Sequence, residues 1–315
     1  MSRQIEESLT VPESMAGQRV DQIASQLFEE YSRSRLQGWI KSGELTVDGK
    51  NLKAKEKLWG GEQVAISAEL EDVNQWAAED IPLDVVYEDD DILVINKPVG
   101  LVVHPAAGHY DGTLLNALLY HYPGIEVVPR CGIVHRLDMD TSGLMVIAKN
   151  IEAQNDLVDQ LQTREMGREY EAVVQGVMTG GGVVDEPIGR HPVNRKRQAV
   201  VATGKPAVTH YRVLERFKHH THLRLKLETG RTHQIRVHMS HLGYPLIGDA
   251  VYAGRMRVPK GASEQLLEMV RGFGRQALHA KRLELIHPRT GDDMAWEIDL
   301  PDDMLNLLAC LSEEQ

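Results

Sequence analysis

Gly132-Ile-Val-His-Arg-Leu-Asp-Met-Asp-Thr-Ser-Gly-Leu-Met-Val-Ile-Ala-Lys149 runs from a short apolar pair, Ile133-Val134, through a polar turn into the apolar run Leu144–Ala148. The pattern predicts two buried strands joined by a loop that carries His135, Arg136, Asp138 and Asp140. A loop held at both ends by core strands is rigid enough to position a reacting group, and Asp138 is the candidate. The plainer alternative is turn chemistry, with Asp138 or Asp140 capping the loop and Ser142-Gly143 closing it.

Outward from this stretch, the 315 residues suffice for a sizeable core and suggest two domains. No apolar segment approaches the roughly 20 residues that span a bilayer. The start, Met-Ser-Arg-Gln-Ile-Glu-Glu, lacks the basic and then apolar layout of a signal peptide, so a cytoplasmic protein with no membrane partner is expected. Cys131 and Cys310 are too few and too separated for a disulfide framework or a structural zinc site. Cys131 reads as a small buried residue.

The net charge of -11 argues against a nucleic-acid partner only until its distribution is examined. Residues 69–91 hold ten acids and no Lys or Arg, whereas from residue 92 onward bases and acids number 26 each. The larger part is neutral and free to form a basic cleft. All 14 histidines lie there.

The chain divides into a tail (1–16), a small module (17–68), an acidic linker (69–84) and a large domain (85–315). Val20, Ile23, Ala24, Leu27 and Phe28 recur at helical spacing, and Leu36, Trp39 and Ile40 do so in a second run. Gly43 ends that helix, Leu45–Val47 reads as a strand, and Asp48-Gly49 is a tight-turn signal. The order resembles the S4 RNA-binding domain. The resemblance implies that Arg33, Arg35 and Lys41, with Lys50, Lys53, Lys55 and Lys57 beyond, face RNA phosphates. A merely solvated face is the alternative, because the module's seven acids nearly match its eight bases.

In the large domain, strands are expected at Ile92–Ile95, Tyr170–Val174, Ala207–Leu214 and His222–Glu228, and helices at Leu114–Tyr122 and Ile151–Thr163. Arg195, Lys196 and Arg197 form a candidate phosphate-binding loop, or simply a basic turn. His233, His238 and His241 invite a metal reading, but the acid partner of a catalytic zinc motif is missing, so no metal is expected. The run His219–His222 reads as a solvated hairpin. The glycine patterns of nucleotide hydrolysis and of dinucleotide binding are absent from the sequence.

Three blocks in fixed order resemble the RluA-type pseudouridine synthases: His135-Arg136-Leu137-Asp138 with Thr141-Ser142-Gly143, Arg168-Glu169-Tyr170-Glu171-Ala172, and Thr229-Gly230-Arg231-Thr232-His233-Gln234-Ile235-Arg236. Asn96-Lys97-Pro98, Gly204-Lys205-Pro206-Ala207, Gly248-Asp249 and Leu278-His279-Ala280 extend the match over nearly the whole chain. The resemblance implies an α+β catalytic domain with a mixed, mainly antiparallel sheet, flanking helices and a central cleft. It implies an enzyme that isomerises uridines without cofactor or metal, acting on a stem-loop of large-subunit ribosomal RNA; a monomer is expected, although these residues do not determine the oligomeric state. Asp138 corresponds to the family's catalytic aspartate and Arg236 to the basic residue paired with it. Tyr170 corresponds to the tyrosine packed on the target base. Arg136, with His135 beside it, corresponds to the arginine that fills the gap left by a flipped uridine, and Arg231 is read as an RNA contact. Met139 departs from the Lys common in relatives. The competing readings are a paralogue acting on another ribosomal site or on transfer RNA, and a silent RNA-binding assembly factor.

Overall fold

The computed structural model describes residues 3–28, 31, 33–70, 76–106, 108–195, 197–254 and 261–314. It divides into two compact units, residues 1–75 and residues 76–315.

In the first unit, strand β1 (Arg3–Thr10) precedes helices α1 (Val20–Leu27) and α2 (Arg33–Ser42) and strands β2 (Leu45–Val47) and β3 (Gln63–Leu70). The antiparallel sheet has the order β1-β3-β2. The apolar spacing read from the sequence buries Val20, Ile23 and Ala24 of α1 against Leu36, Trp39 and Ile40 of α2. Asp48 and Gly49 both take positive φ (48° and 72°), the backbone that a two-residue type I′ turn requires. The tail expected at 1–16 is corrected: residues 3–10 form a strand paired along its whole length with β3. Backbone pairing suffices there, and of its side chains Ile5 joins the core.

The second unit contains β4 (Val85–Glu88), β5 (Ile92–Lys97), α3 (Leu114–His121), β6 (Ser142–Ala148), α4 (Ile151–Thr163), β7 (Gly167–Gln175), β8 (Gly182–Asp185), β9 (Ile188–Arg190), β10 (Gln198–Val200), β11 (Val208–Arg216) and β12 (His220–Leu227). It continues with α5 (Gln234–His241), α6 (Glu264–Gly272), β13 (Leu278–Ile286), β14 (Asp293–Glu297) and α7 (Asp302–Glu313). The large sheet runs β4-β5-β6-β13-β7-β12-β11-β8, with β14 on β13. Among the described residues β6 and β13 pair in parallel and the other pairs of this sheet are antiparallel, so it is mixed and mainly antiparallel as expected.

Strand alternation sorts the core into two layers. Leu93, Ile95, Met145 and Ile147 pack with Leu114, Leu115 and Leu118 of α3, whereas Ile92, Val94, Leu144 and Val146 pack with Ala153 and Leu157 of α4. That double burial is why both strands read as continuous apolar runs. Helix α4 begins at Asn150, whose side chain accepts from the Ala153 N–H, and ends at Arg164 in the left-handed region.

Two expectations change in this unit. Ile133-Val134 is not a strand; Ile133 makes an isolated bridge to Ile147. Arg130, Cys131 and Gly132 before it all have positive φ, and a Cβ on Gly132 would lie 1.8 Å from the Ala148 carbonyl oxygen, so the chain turns tightly into the loop. His219–His222 is not a solvated hairpin either. His220 and His222 are buried because β12 lies between β7 and β11.

The acidic segment read as a linker also differs. Residues 71–75 lie outside the described residues, while Trp76, Ile81 and Leu83 pack on the second unit's core and Glu79 accepts from the Gly112 N–H. Among the described residues no helix is long and apolar enough to cross a membrane.

Candidate active site

A cleft of about 780 Å³ opens beside the 135–141 loop. Six arginines line it (Arg130, Arg136, Arg164, Arg168, Arg231 and Arg236) against two acids, Asp138 and Glu228. Despite the chain's negative total, this concavity is strongly basic.

The loop bearing Asp138 is fixed from several sides. Lys97, fully buried at the end of β5, donates to the carbonyls of Pro98 (2.7 Å), Leu101 (3.0 Å) and Met139 (2.9 Å). Burial pulls this lysine down to about 8, against the opposing pull of Asp140 and Asp138. Thr141 N–H closes the turn on the Asp138 carbonyl (3.0 Å), Gln276 donates to the Thr141 hydroxyl (3.0 Å), and Ser142 Oγ meets His279 Nδ1 at 2.9 Å. Gly143 follows because a Cβ would lie 2.3 Å from the Ala280 carbonyl oxygen on parallel strand β13. Met139 contributes its carbonyl to this anchoring and leaves its side chain exposed.

Opposite the loop, Gly230-Arg231 leads to α5, which is preceded by its N-cap His233 at φ 58°. Arg236 on α5 donates from Nη1 to Asp138 Oδ2 (2.8 Å), and from Nε and Nη2 to Asp249 (2.7 and 3.0 Å). Burial works against the arginine's charge, but the two carboxylates outweigh it and raise its affinity for the proton. Burial likewise opposes the Asp249 charge; the fork from Arg236 and the N–H groups of Val251 and Tyr252 overcome it.

The cleft's two acids differ in availability. Glu228 gives one oxygen to Arg164 and the other to His210 (2.6 Å). Asp138 Oδ1 makes no hydrogen bond among the described residues, and His233 Nε2 stands 3.8 Å from it. Burial lowers the basicity of His233, and Asp138 opposes that trend.

Tyr170 lies on β7 between β13 and β12, is 6% exposed, and lines the cleft. Burial raises its phenol above the ordinary range, so it is a neutral ring at physiological pH. Arg136 is exposed at the cleft wall and makes no hydrogen bond or ion pair among the described residues. His135 has a structural use. Its Nε2 accepts from the Val146 N–H (3.1 Å), and burial, then Arg168, holds the ring down to about 3. Arg231 lines the rim and donates to the Pro206 carbonyl (3.0 Å).

The basic loop expected at 195–197 comes closer to this machinery than its sequence distance suggests. Lys196 lies outside the described residues and Arg195 is exposed. Arg197 sits 5.1 Å over the Tyr252 ring, with Arg236 at 5.0 Å from the same ring. The Tyr252 hydroxyl accepts from Gln198 N–H and bonds His233 Nδ1 at 2.8 Å. Sequence reading passed over Tyr252 and gave no role to Arg168 or Asp249, although both stand in quoted stretches, Arg168–Ala172 and Gly248-Asp249. In the first unit Lys41 and Lys50, Lys53, Lys55 and Lys57 are exposed and Arg35 is half-buried; the Arg33 side chain is outside the described set.

Of the metal readings, His238 is occupied by Thr209 (2.9 Å) and the Glu186 carbonyl (2.9 Å). Asp89, Asp91 and His287 do cluster, yet Asp89 already accepts from two backbone N–H groups, Tyr87 and His287. Cys131 is a buried thiol pushed up to about 11 by burial and then by Glu126.

Residues 91–241 match the RNA pseudouridylate synthase family. Over 315 residues the chain is 62% identical to "Ribosomal large subunit pseudouridine synthase D" of Pseudomonas aeruginosa, covering 100% of this chain and 98% of that one. The protein of the same name from Yersinia pestis is 59% identical, covering 100% and 97%, and that of Escherichia coli K12 is 58% identical over 309 residues, covering 98% and 95%. The chain belongs to the RNA pseudouridylate synthase family. Two solved structures agree in fold. Human RNA Pseudouridylate Synthase Domain Containing 1 has a TM-score of 0.55 at 28% identity, covering 74% of this chain and 89% of that one. Domain Containing 4 has 0.57 at 26%, covering 72% and 92%.

Proposed function

We propose that this pseudouridine synthase isomerises uridines of large-subunit (23S) ribosomal RNA, at a stem-loop uridine cluster of the helix 69 type, with Asp138 as the catalytic residue. The observation that carries the assignment of Asp138 is its free Oδ1: of the two acids in the cleft, Glu228 has both oxygens engaged. The substrate reading rests on full-length identity to relatives whose names specify the large ribosomal subunit.

The reaction breaks the bond from N1 to C1′, turns the base, forms a bond from C5 to C1′, and moves the C5 proton away while N1 gains one. It is redox-neutral and expels nothing, so its chemistry calls for no cofactor. Asp138 acts by bonding to the base or sugar, or by removing a ribose proton. Each route needs one oxygen open to the nucleoside while the other is held, which is the division of labour between Oδ1 and the Arg236-bound Oδ2. Tyr170 offers its ring to the base and its hydroxyl to proton transfer at C5. Arg136 at the wall takes the space vacated by the flipped uridine, and His135 holds the loop beneath it.

The first unit acts as an S4-type grip through Arg33, Arg35 and Lys41, and the 195–197 loop with Arg231 adds phosphate contacts. Asp138, Tyr170 and Arg236 line one cleft of one chain, in keeping with a monomer, and a ribosomal substrate supports a cytoplasmic location.

The test is a pseudouridine map of large-subunit RNA from cells lacking this chain, complemented by wild type or by Asp138→Asn. A discrete cluster should vanish and return with wild type alone. Substantial turnover by Asp138→Asn sinks the assignment of that residue; an unchanged map sinks the substrate.

A further inference from the structure

Arg168 is a buried cation without a counter-ion. It is 6% exposed, its Nε is buried without a partner, and among the described residues it makes no hydrogen bond or ion pair. The other two buried arginines among the described residues are both paired: Arg236 with Asp138 and Asp249, and Arg275 with Asp303. Strand period two explains the isolation. On β7, Arg168 and Tyr170 share the face that lines the cleft, while Glu171 points to the other face and engages His222 and Arg224. The nearest wall is bare backbone, since a Cβ on Gly230 would lie 2.8 Å from Arg168 Nη1. Two further buried ring nitrogens in the same cleft, His104 Nε2 and His135 Nδ1, also lack partners among the described residues.

Buried polar groups in folded proteins are almost always paired, and an uncompensated buried charge is among the costliest features a fold can keep. Its retention beside Tyr170 points to an anion that arrives with the substrate. Uracil is neutral and would leave the charge unbalanced. A phosphodiester carries a full charge on oxygens spaced to meet a guanidinium fork, and RNA supplies one per nucleotide. We propose that Arg168 binds a backbone phosphate flanking the uridine that enters the cleft, fixing the nucleotide while its base lies on Tyr170. The inference deepens the pseudouridine-synthase reading and rests on it.

The experiment is a cycle between one protein charge and one RNA charge. Wild type and Arg168→Gln are titrated with a uridine-cluster stem-loop transcript, either unmodified or carrying a neutral methylphosphonate immediately 5′ or 3′ of the target uridine. Neutralising one of the two phosphates should weaken wild-type binding about tenfold, the effect of a lost charged contact. Arg168→Gln should bind the unmodified transcript about tenfold more weakly and lose nothing further on that modified one. Full additivity at both positions overturns the proposal. Should Arg168→Gln not fold, the same cycle with Arg168→Lys, which keeps the charge without the fork, should show partial coupling, and additivity again overturns it. Wild-type turnover of the unmodified transcript separately reports whether the enzyme reading holds.

Discussion

Arg236 and Arg168 lie in the same cleft, both almost excluded from solvent, in opposite electrostatic settings. Arg236 is clamped between two carboxylates, with Asp249 taking two of its N–H groups and Asp138 a third. Arg168 faces backbone, a histidine and a tyrosine. The first arrangement is a finished ion network that positions a carboxylate without any ligand. The second is unfinished in the free protein. A cleft can thus hold its reacting group rigidly while leaving the energetic gain of charge neutralisation to the moment of binding, where it contributes to affinity.

The contrast is broken most directly by the same substitution at both sites. Arg236→Met removes the partner that Asp138 and Asp249 share and strands one buried carboxylate, Asp249, together with the half-buried Asp138, so a loss of about 3–5 kcal/mol in urea unfolding is expected. Arg168→Met removes a charge that nothing balances, and unfolding should be unchanged or shifted toward greater stability by about 1 kcal/mol. Equal destabilisation by the two would erase the distinction. Between these extremes lies Asp249→Asn, which keeps Asp138 on Arg236 but weakens the fork behind it. About 2 kcal/mol of stability should be lost. Turnover should fall with little change in RNA affinity, because Asp249 positions Arg236 and has no direct part in binding; a change confined to affinity would contradict that role.

The same contrast marks how far sequence reading reaches. Helix α4 was legible end to end, since the helix expected at Ile151–Thr163 is the one observed. The pairing of Asp138 with Arg236 was legible through resemblance, although 98 residues separate them. Helix α5 was not legible, because Gln234 to Met239 is buried on all sides and its polar members, Gln234, Arg236 and His238, look like surface residues in a one-dimensional pattern. Strand β1 escaped for the reverse reason: it is held by backbone pairing and buries little. Arg168 stands in a matched block, but its isolation leaves no local signal, as a missing partner is a property of three-dimensional neighbours. Tyr252 joins the site through contacts with residues 19 and 54 positions away.

The smallest expected effect tests whether the Arg168 charge is felt by its surroundings. His135 is held at about 3, by burial first and by Arg168 second, against an ordinary value near 6.5. As pH falls through 6.5 the unfolded chain takes up a proton on this ring while the folded chain does not, so its contribution to stability declines progressively toward pH 3. Arg168→Gln removes the smaller of the two causes. In that variant the His135 imidazole resonances should titrate at higher pH than in wild type, still well below 6.5 because burial remains, and the acid-side decline in stability should become shallower. Arg236→Met should leave His135 where it is, since Arg236 is not among the groups acting on that ring. If removing either arginine moved His135 equally, the charge of Arg168 would be screened like that of its paired neighbour, and the two halves of the cleft would be electrostatically alike.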